Sequence, residues 1–350
     1  MNDDAARMFL AELRWGSKEK QTCPECGAID AHHNIRTRKQ WRCKHCDHTF
    51  SVTSGTPFAD QKIGYRKLLL AIYAFVMNQK GIAALALRRI IGGQYRTSFT
   101  LLHKIREAVM LTVSQEQLSG VVEIDGGHFS GRKRKGRKKK RSAKKQVPSK
   151  YAQHRTKTRS WAYQFHPNRR IIMALREISQ ETTGAINKYN GKPIGYGAIR
   201  TIVAVCKSEN IIDAEALVRQ YVARNATIRT DEMPAYGGLK LMGYIHEVVN
   251  HSEEFSTDEG VNENQAESFF SRMRRACIGI YHRITPKYML DYACEIAWRE
   301  DVRRQDTISQ MAALLGRVFG SGRSTDWINY CRGNKRKAEL LFEAPRPAPA

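Results

Sequence analysis

Residues 121–127 read Val-Val-Glu-Ile-Asp-Gly-Gly, a short apolar run that ends in a carboxylate and two glycines. Such a run predicts a β-strand whose last residues lie at the edge of a site. The segments 170–175, 202–205 and 226–232 are also apolar and predict further strands, and the last of them again ends in acids. With a helix predicted at about 214–223, the pattern indicates a domain that mixes strands and helices.

Three acids stand out in this domain. Asp125 and Asp231 end predicted strands, and Glu267 lies in a predicted helix that begins at Asn264. Arg274 follows Glu267 by seven residues, which places both on one face of that helix. Three carboxylates held together raise one another's pKa unless cations lie between them. Hard oxygen ligands favour Mg²⁺ or Mn²⁺, and a pair of such ions supports in-line displacement at a phosphodiester.

Other polar residues near these acids are weighed separately, because a single acid is more often a surface residue or a helix cap. Glu123 lies on the strand face of the first acid but has no second feature, and Glu232 is expected to point away, so neither is assigned. The residues that could lie near the metals are His128, His251 and Asn264.

Two Cys-x-x-Cys pairs lie near the N-terminus, Cys23 with Cys26 and Cys43 with Cys46, and sixteen residues separate the pairs. Pairs at this separation can bring four thiolates around one tetrahedral Zn²⁺. The alternative ligands in this segment are His45 and His48. The spacing predicts a zinc ribbon over residues 21–52, a module for binding rather than an enzyme by itself.

The next segment is helical. Residues 65–77 and 81–91 predict two helices, Gly92-Gly93 ends the second, and a third begins at Tyr95. Helix, glycine turn and helix is the layout of a helix-turn-helix, although an ordinary helical linker domain fits the pattern equally well. In the first interpretation, the residues that would face DNA are Arg96, Thr97 and Ser98, with Lys104 and Arg106 further along the helix.

The positive charge of the chain is concentrated in one segment. The sequence has 59 Lys and Arg against 34 Asp and Glu, a net charge of +25, and residues 131–160 hold 15 of the basic residues with no acid. Such a block predicts a flexible insertion whose partner is a polyphosphate, whereas the alternative is a solubilising loop. The predicted phosphate contacts are Arg132, Lys133, Arg134, Lys138, Lys139 and Lys140.

Length and composition exclude several classes of protein. A chain of 350 residues with 41% hydrophobic residues indicates a folded protein of two or three domains. Its longest apolar run, residues 68–77, is too short to span a bilayer. The acidic N-terminal segment does not look like a secretory signal, so we expect a cytoplasmic, nucleoid-associated protein. The predicted order is an N-terminal helix (1–20), the zinc ribbon (21–52), a helical DNA-binding segment (53–118), a catalytic domain (119–310), and a C-terminal helix with a disordered tail (311–350).

The motifs together resemble one family, the ISXO2-like transposases of bacterial insertion sequences, which belong to the IS1595 group and carry an N-terminal zinc ribbon and a DDE domain. The resemblance extends from Trp15 to about Arg304. The segments that carry it are Cys23–Gly27, Phe50–Phe58, the helical stretch from Gly81, Val122–Asp125, Thr230–Tyr236, Asn250–Ser252 and Asn264–Phe270.

The resemblance implies a catalytic domain with a ribonuclease-H-like fold, in which Asp125, Asp231 and Glu267 bind the metals and Arg274 follows as a basic residue. It implies cutting of double-stranded DNA at terminal inverted repeats and joining of the freed 3′-hydroxyls to target DNA. By analogy, the protein assembles on DNA as a homodimer or larger oligomer. The chain departs from the family pattern at Gly126, where a second acid is common, and at Asn262, where the family has a histidine.

Two other functions compete with an active transposase. A domesticated or inactive relative could act as a DNA-binding regulator, and a zinc-ribbon protein of this charge could bind RNA. The complete set of three acids favours the enzyme, since a regulator that only binds DNA has no need of it.

Overall fold

The computed structural model describes residues 1–130, 169–186, 193–249, 264–336 and 338–344. It divides into two compact units, and neither is one continuous segment of chain. The first unit comprises Met1–Glu116, Arg272–Tyr281 and Asp291–Lys337, and the second comprises Gln117–Ser271, His282–Leu290 and Ala338–Ala350. Within the described ranges, no helix is both long enough and apolar enough to cross a membrane.

Elements before residue 117 are, in chain order, α1 (Asp3–Trp15), β1 (Gln21–Thr22), β2 (Ile29–Asp30), β3 (His33–Ile35), β4 (Gln40–Arg42), β5 (Thr49–Phe50), α2 (Tyr65–Met77), α3 (Ala84–Ile91) and α4 (Tyr95–Leu111). Those that follow are β6 (Val121–Ser130), β7 (Arg169–Ile178), β8 (Thr182–Ile186), β9 (Pro193–Gly195), β10 (Ala198–Cys206), α5 (Ile211–Tyr221), β11 (Thr227–Thr230), β12 (Ile245–Val248), α6 (Asn264–Gly279), α7 (Met289–Val302) and α8 (Thr307–Gly320).

The N-terminal helix packs on two small sheets, β1–β2 and β3–β4–β5. Trp41 and Phe50 are buried beneath it, with 2% and 0% of their surface exposed. The Trp15 ring meets Trp41 edge to face at 5.5 Å, and the Arg7 guanidinium lies 4.6 Å from the Trp41 ring centroid. Because the sheets are too small to bury a core of their own, α1 supplies the apolar face that they lack.

The helical part of the first unit is built around buried charge. Arg106 is fully buried, and its Nε donates to Glu295 at 2.6 Å. Arg299 donates to the other oxygen of Glu295 at 2.8 Å. Buried charges are tolerated only when they are paired in this way, so α4 and α7 are held together by an ionic network as well as by apolar packing.

Helix α2 has the bounds that the sequence predicts, whereas α3 begins at Ala84, three residues later than predicted. Gly81 has a φ of +90°, a left-handed conformation that does not belong to an α-helix. A Cβ at this position would also lie 1.8 Å from the hydroxyl oxygen of Tyr281. The glycine therefore belongs to the turn before the helix.

A mixed five-stranded sheet forms the centre of the second unit, in the order β10-β7-β6-β11-β12. Strand β7 is antiparallel to both of its neighbours, and β11 is parallel to both β6 and β12. The chain therefore has the mixed α/β content that its sequence predicts. The predicted end of the first strand is wrong, because pairing with β7 continues through the two glycines to Ser130 and leaves Asp125 within β6. Strands β8, β9 and β12 are additional to the prediction, because they are short; β12 is also largely exposed, with Ile245 60% exposed.

Helix α6 lies directly against strand β6. A Cβ built on Gly127 would lie 2.3 Å from a ring carbon of Phe270, far closer than real side chains approach. Phe269 and Phe270 are both buried at this contact. The second glycine of the Asp-Gly-Gly sequence is therefore needed because the helix occupies the space of a side chain.

Replacing Gly127 by Ala is expected to lower the free energy of unfolding by about 1–3 kcal/mol, because the added methyl group overpacks the contact with Phe270. Thermal or urea denaturation of purified protein measures the loss. The Gly127→Ala/Phe270→Leu double variant should recover part of it. Gly237→Ala is the matched control, since a Cβ there meets only an ordinary contact at 3.5 Å. Equal stability of the Gly127 and Gly237 variants would contradict the packing argument.

Candidate active site and zinc site

Two of the three predicted acids are brought side by side by the register of parallel strands. The last pair of the ladder between β6 and β11 is Glu123 with Arg229, and Asp125 and Asp231 each lie two residues beyond it. The charges of both aspartates act on the same carboxyl group, that of Glu209. Neighbouring strands lie about 4.8 Å apart, which is close enough for both carboxylates to face one site. The Asp231 carboxylate accepts the backbone N–H of Met233 at 3.1 Å, and the Asp125 carboxylate accepts that of Gly126 at 2.6 Å.

The third acid lies in the first turn of α6, and this end of the helix is held by strand β6. One carboxylate oxygen of Glu123 accepts the backbone N–H groups of Gln265 and Ala266, each at 3.0 Å. Glu123 is 2% exposed, and burial raises the pKa of its carboxyl to about 7. A carboxylate at a helix N-terminus satisfies donors that have no partner inside the helix. It thereby anchors the residues that immediately precede Glu267.

A buried arginine completes this anchor. Arg176 is paired with Glu123 across strands β6 and β7 and has none of its surface exposed. Its guanidinium donates to the backbone carbonyl of Gln265, and its Nε donates to the Thr201 hydroxyl at 3.2 Å. It also lies 5.9 Å from the ring centroid of Phe269. The start of α6 is therefore bound through both its N–H and its carbonyl groups.

A fourth carboxylate, which the sequence analysis missed, lies beside the two aspartates. Glu209 follows the end of β10, and its carboxylate packs so closely on Gly126 that a Cβ there would lie 2.3 Å from its oxygen. Tyr236 is buried and donates its hydroxyl to Glu209 at 2.8 Å. Burial and, to a smaller extent, the charges of Asp125 and Asp231 raise the pKa of the Glu209 carboxyl. The rule that selected Asp231, an acid just after a strand, also applies to Glu209.

The donor set suits a hard divalent cation, because it consists of carboxylate oxygens. The repulsion that raises the pKa of Glu209 is of the kind that a divalent cation between the acids relieves. No three of these carboxylates have oxygens within 4.8 Å of one another in the described residues, so their oxygens would have to move together around an ion.

The four cysteines form one compact group. All four sulfur atoms lie within 4.8 Å of one another. The Cys23 and Cys46 sulfurs are 3.7 Å apart, and those of Cys26 and Cys43 are 3.6 Å apart. Zn–S bonds of about 2.3 Å in a tetrahedron place sulfurs about 3.8 Å apart, so the group matches structural zinc. His45 is outside the group, and its ring faces Asp30 at 3.5 Å.

Two family models match the chain. Residues 117–301 match the model of the ISXO2-like transposase domain, and residues 1–49 match that of the transposase zinc-ribbon domain. The chain belongs to the ISXO2-like transposases. The first match alone covers more than half of the sequence, and the resemblance noted from the motifs is confirmed. No curated protein matches the chain.

The structure of this transposase corrects three of the predicted DNA contacts. Ser98 has none of its surface exposed, Arg106 only 1% and Lys104 only 6%, so none of these side chains is available to a DNA groove. The ammonium group of Lys104 is directed at the carbonyl oxygen of Ala59 at 3.5 Å. Arg96 and Thr97 are exposed at the start of α4, where they remain predicted contacts.

Other predicted residues of the transposase are exposed or lie outside the described ranges. Glu267, Arg274 and His128 are exposed. Of Asn264, only its place as the first residue of α6 is described. The residues that lie outside the described ranges are His251 and the basic residues Arg132, Lys133, Arg134, Lys138, Lys139 and Lys140.

We expect the purified transposase to hold one zinc ion per chain, and Cys43→Ser to lose most of it, because four-coordinate structural sites rarely survive the loss of a thiolate. Elemental analysis after gel filtration measures the metal. Cys331→Ser is the control, since this exposed thiol lies outside the cluster and should leave the zinc content unchanged. Full zinc occupancy in Cys43→Ser would rule out the four-cysteine site.

Replacing Glu123 by Ala is expected to lower the free energy of unfolding by about 2–4 kcal/mol, because two buried backbone N–H groups lose a charged acceptor. Glu123→Gln should lose less, since its amide oxygen still accepts hydrogen bonds. Chemical denaturation measures both. Glu181→Ala, at an exposed position of the same unit, serves as the control and should change stability by less than about 0.5 kcal/mol. If Glu123→Ala lowered the free energy of unfolding no more than Glu181→Ala, the hydrogen bonds from Glu123 to helix α6 would contribute nothing to stability.

Proposed function

We propose that this transposase cuts DNA at the inverted repeats of its insertion sequence and joins the freed 3′-hydroxyls to target DNA. The observation that supports the proposal is the parallel pairing of β6 and β11, which ends two residues before Asp125 on one strand and two residues before Asp231 on the other. Glu267 is the third acid, on a helix whose start is held by Glu123 of the same strand as Asp125. The three acids are the proposed ligands of Mg²⁺ or Mn²⁺.

The proposed catalytic fold is ribonuclease-H-like. Its support is the central sheet, in which β7 runs against the other four strands and β6 lies in the middle. The proposed acids extend from β6, from the end of β11 and from a helix that packs on β6. The proposed chemistry therefore belongs to β6 and β11, two neighbouring strands inside the sheet, and the other strands contribute to stability.

In the proposed mechanism, bound divalent cations would activate the attacking oxygen and stabilise the leaving oxygen of an in-line displacement. The residues of the chain hold and orient these cations. Asp125 and Asp231 provide ligands from neighbouring strands, and Glu267 approaches from α6. The hydroxyl of Tyr236 holds the Glu209 carboxylate against Gly126, so its negative charge stays beside Asp125. Arg274, two helical turns beyond Glu267, is proposed to contact a DNA phosphate.

The proposed partner is double-stranded DNA, as inverted repeats and as target. Support comes from the zinc-ribbon match, from the exposed Arg96 and Thr97, and from the basic sequence 131–160. Because transposition joins two ends of an element, two catalytic subunits are required, and we propose a homodimer or larger assembly on DNA. Its proposed location is the bacterial nucleoid.

The catalytic assignment predicts that Asp231→Asn cleaves DNA at least about 100-fold more slowly than the parent, because losing a metal ligand removes several kcal/mol of transition-state stabilisation. A labelled duplex that carries the repeats flanking the gene, with Mg²⁺, provides the assay. Glu232→Gln is the neighbouring control and should cleave at the parental rate, since this residue is exposed and is not assigned to the site.

Two outcomes of this assay would contradict the proposal. Cleavage by Asp231→Asn at the rate of the parent would show that Asp231 is not a metal ligand. DNA binding without cleavage by the parent at any concentration of Mg²⁺ or Mn²⁺ would indicate a DNA-binding regulator instead.

A further inference from the structure

A cleft of about 1210 Å³ opens on the first unit, and none of the four clustered cysteines lines it. Three parts of the chain supply most of the lining, which Asn2 and Asp3 complete: the segment 59–67 that leads into α2, the segment 91–104 with the glycine turn and the start of α4, and the segment 323–332 that follows α8. The last of these lies beyond the elements to which the sequence analysis assigned DNA binding.

Positive charge predominates in the lining. Six basic residues line the cleft against two acids, Asp3 and Asp60. Both acids are already engaged, because Asp60 pairs with Arg323 and Asp3 accepts from Lys39, which is not part of the lining. The net charge of the lining is therefore strongly positive, and the cleft attracts an anion rather than a cation.

Four of the basic side chains in the lining are exposed, and none of the four forms an ion pair with another residue in the described ranges: Lys62, Arg66, Lys67 and Arg332. The backbone N–H of Arg66 donates to the carboxylate of Asp3, so Lys62, Lys67 and Arg332 are the three that are assigned to a ligand. Between them they come from two of the three chain segments. A ligand that satisfies all of them must carry several negative charges along its length, as a nucleic acid backbone does.

The shape of the cleft allows such a backbone to approach closely. Gly92 and Gly93 have φ values of +74° and +82°, which favour glycine. The turn therefore carries no side chains. A Cβ at Gly92 would lie 3.8 Å from the ammonium nitrogen of Lys67, so the bare turn and the cation are neighbours. Apolar side chains such as Ile63 and Leu101 form the lining between the charges. An apolar lining strengthens the attraction of the surrounding cations by lowering the local dielectric constant.

We propose that this cleft binds the phosphate backbone of duplex DNA through Lys62, Lys67 and Arg332, and that the segment 323–332 is therefore part of the DNA-binding surface. The proposal rests on the proposed function, from which the identity of the polyanion is taken. Contacts of this type position the protein on DNA and do not select a base sequence.

The test compares the Lys62→Ala/Lys67→Ala/Arg332→Ala triple variant with a control of equal charge, Lys20→Ala/Lys80→Ala/Arg89→Ala, whose residues are exposed on the same unit outside the cleft. Binding to a fluorescent DNA duplex is measured by anisotropy over a range of KCl concentrations, without divalent cations or chelator. Each lost phosphate contact makes the slope of log K against log salt shallower by about 0.9, so the cleft variant should lose about 2.7 in total.

The outcomes are distinct. A cleft variant with the parental slope, or a control variant with the same loss, would overturn the proposal. An RNA duplex of the same sequence is included, and if the substitutions weakened only RNA binding, the partner would be RNA and the proposal would also be overturned. Melting curves of both variants verify that the folded state is intact, which is expected because all six side chains are exposed.

A natural thiol provides a second measurement. Cys331 is exposed and lines the cleft, so bound DNA should slow its alkylation by a maleimide. Peptide mass spectrometry follows this residue separately from the other cysteines. Protection is expected in the parent and should be lost in the triple variant, and an alkylation rate that DNA leaves unchanged in the parent would contradict the proposal.

Both measurements use uncleaved DNA without divalent metal, so they are independent of the catalytic assignment. Parental cleavage by Asp231→Asn would refute the three-acid site and leave the cleft to be judged by its salt slope and by Cys331. Conversely, an unchanged slope in the cleft variant would refute the cleft while the Asp231 result remained valid.

Discussion

The close contact between helix α6 and strand β6 is the constraint on which the candidate active site depends. Gly127 leaves the space that Phe270 fills, and Glu123 binds the first N–H groups of the helix. Asp125 lies between these two contact points on the strand. One strand therefore carries the first acid and also sets the height and direction of the helix that carries Glu267, so the relative position of two proposed metal ligands is determined within five residues of sequence.

Residue spacing predicted the parts of this structure that depend on residues close together in the sequence. The Cys-x-x-Cys pairs, the bounds of α2 and the end of β11 beside Asp231 follow from residues close together in the chain, whereas β6 continues to Ser130, past the Asp-Gly-Gly sequence that is predicted to end it. Glu123 shows the opposite case. Its position on the strand face was correct, but its partners are backbone groups more than 140 residues away, and no pattern around Glu123 reveals them. Contacts between residues so far apart in the sequence are seen only in the folded chain.

Helix α4 shows a second kind of error. The helix-turn-helix interpretation assigns DNA contacts to residues near the start of a helix and assumes that one of its faces is free. In the structure, the residues from Leu101 to Val109 are all buried, on every side of the helix. The polar residues of this stretch have internal partners, such as Glu295 for Arg106. Polarity in a sequence therefore does not distinguish a surface that meets DNA from a buried ionic network, because both require charged side chains.

The contact between Gly126 and Glu209 determines which residue brings a fourth negative charge close to Asp125. The carboxylate of Glu209 occupies the space into which a side chain at position 126 would extend. Because this carboxylate ends a flexible side chain, an acid at position 126 would displace it from the hydroxyl of Tyr236 and take over its place beside Asp125. Glycine at position 126 therefore leaves this charge to a residue that follows β10 and is held by a buried tyrosine.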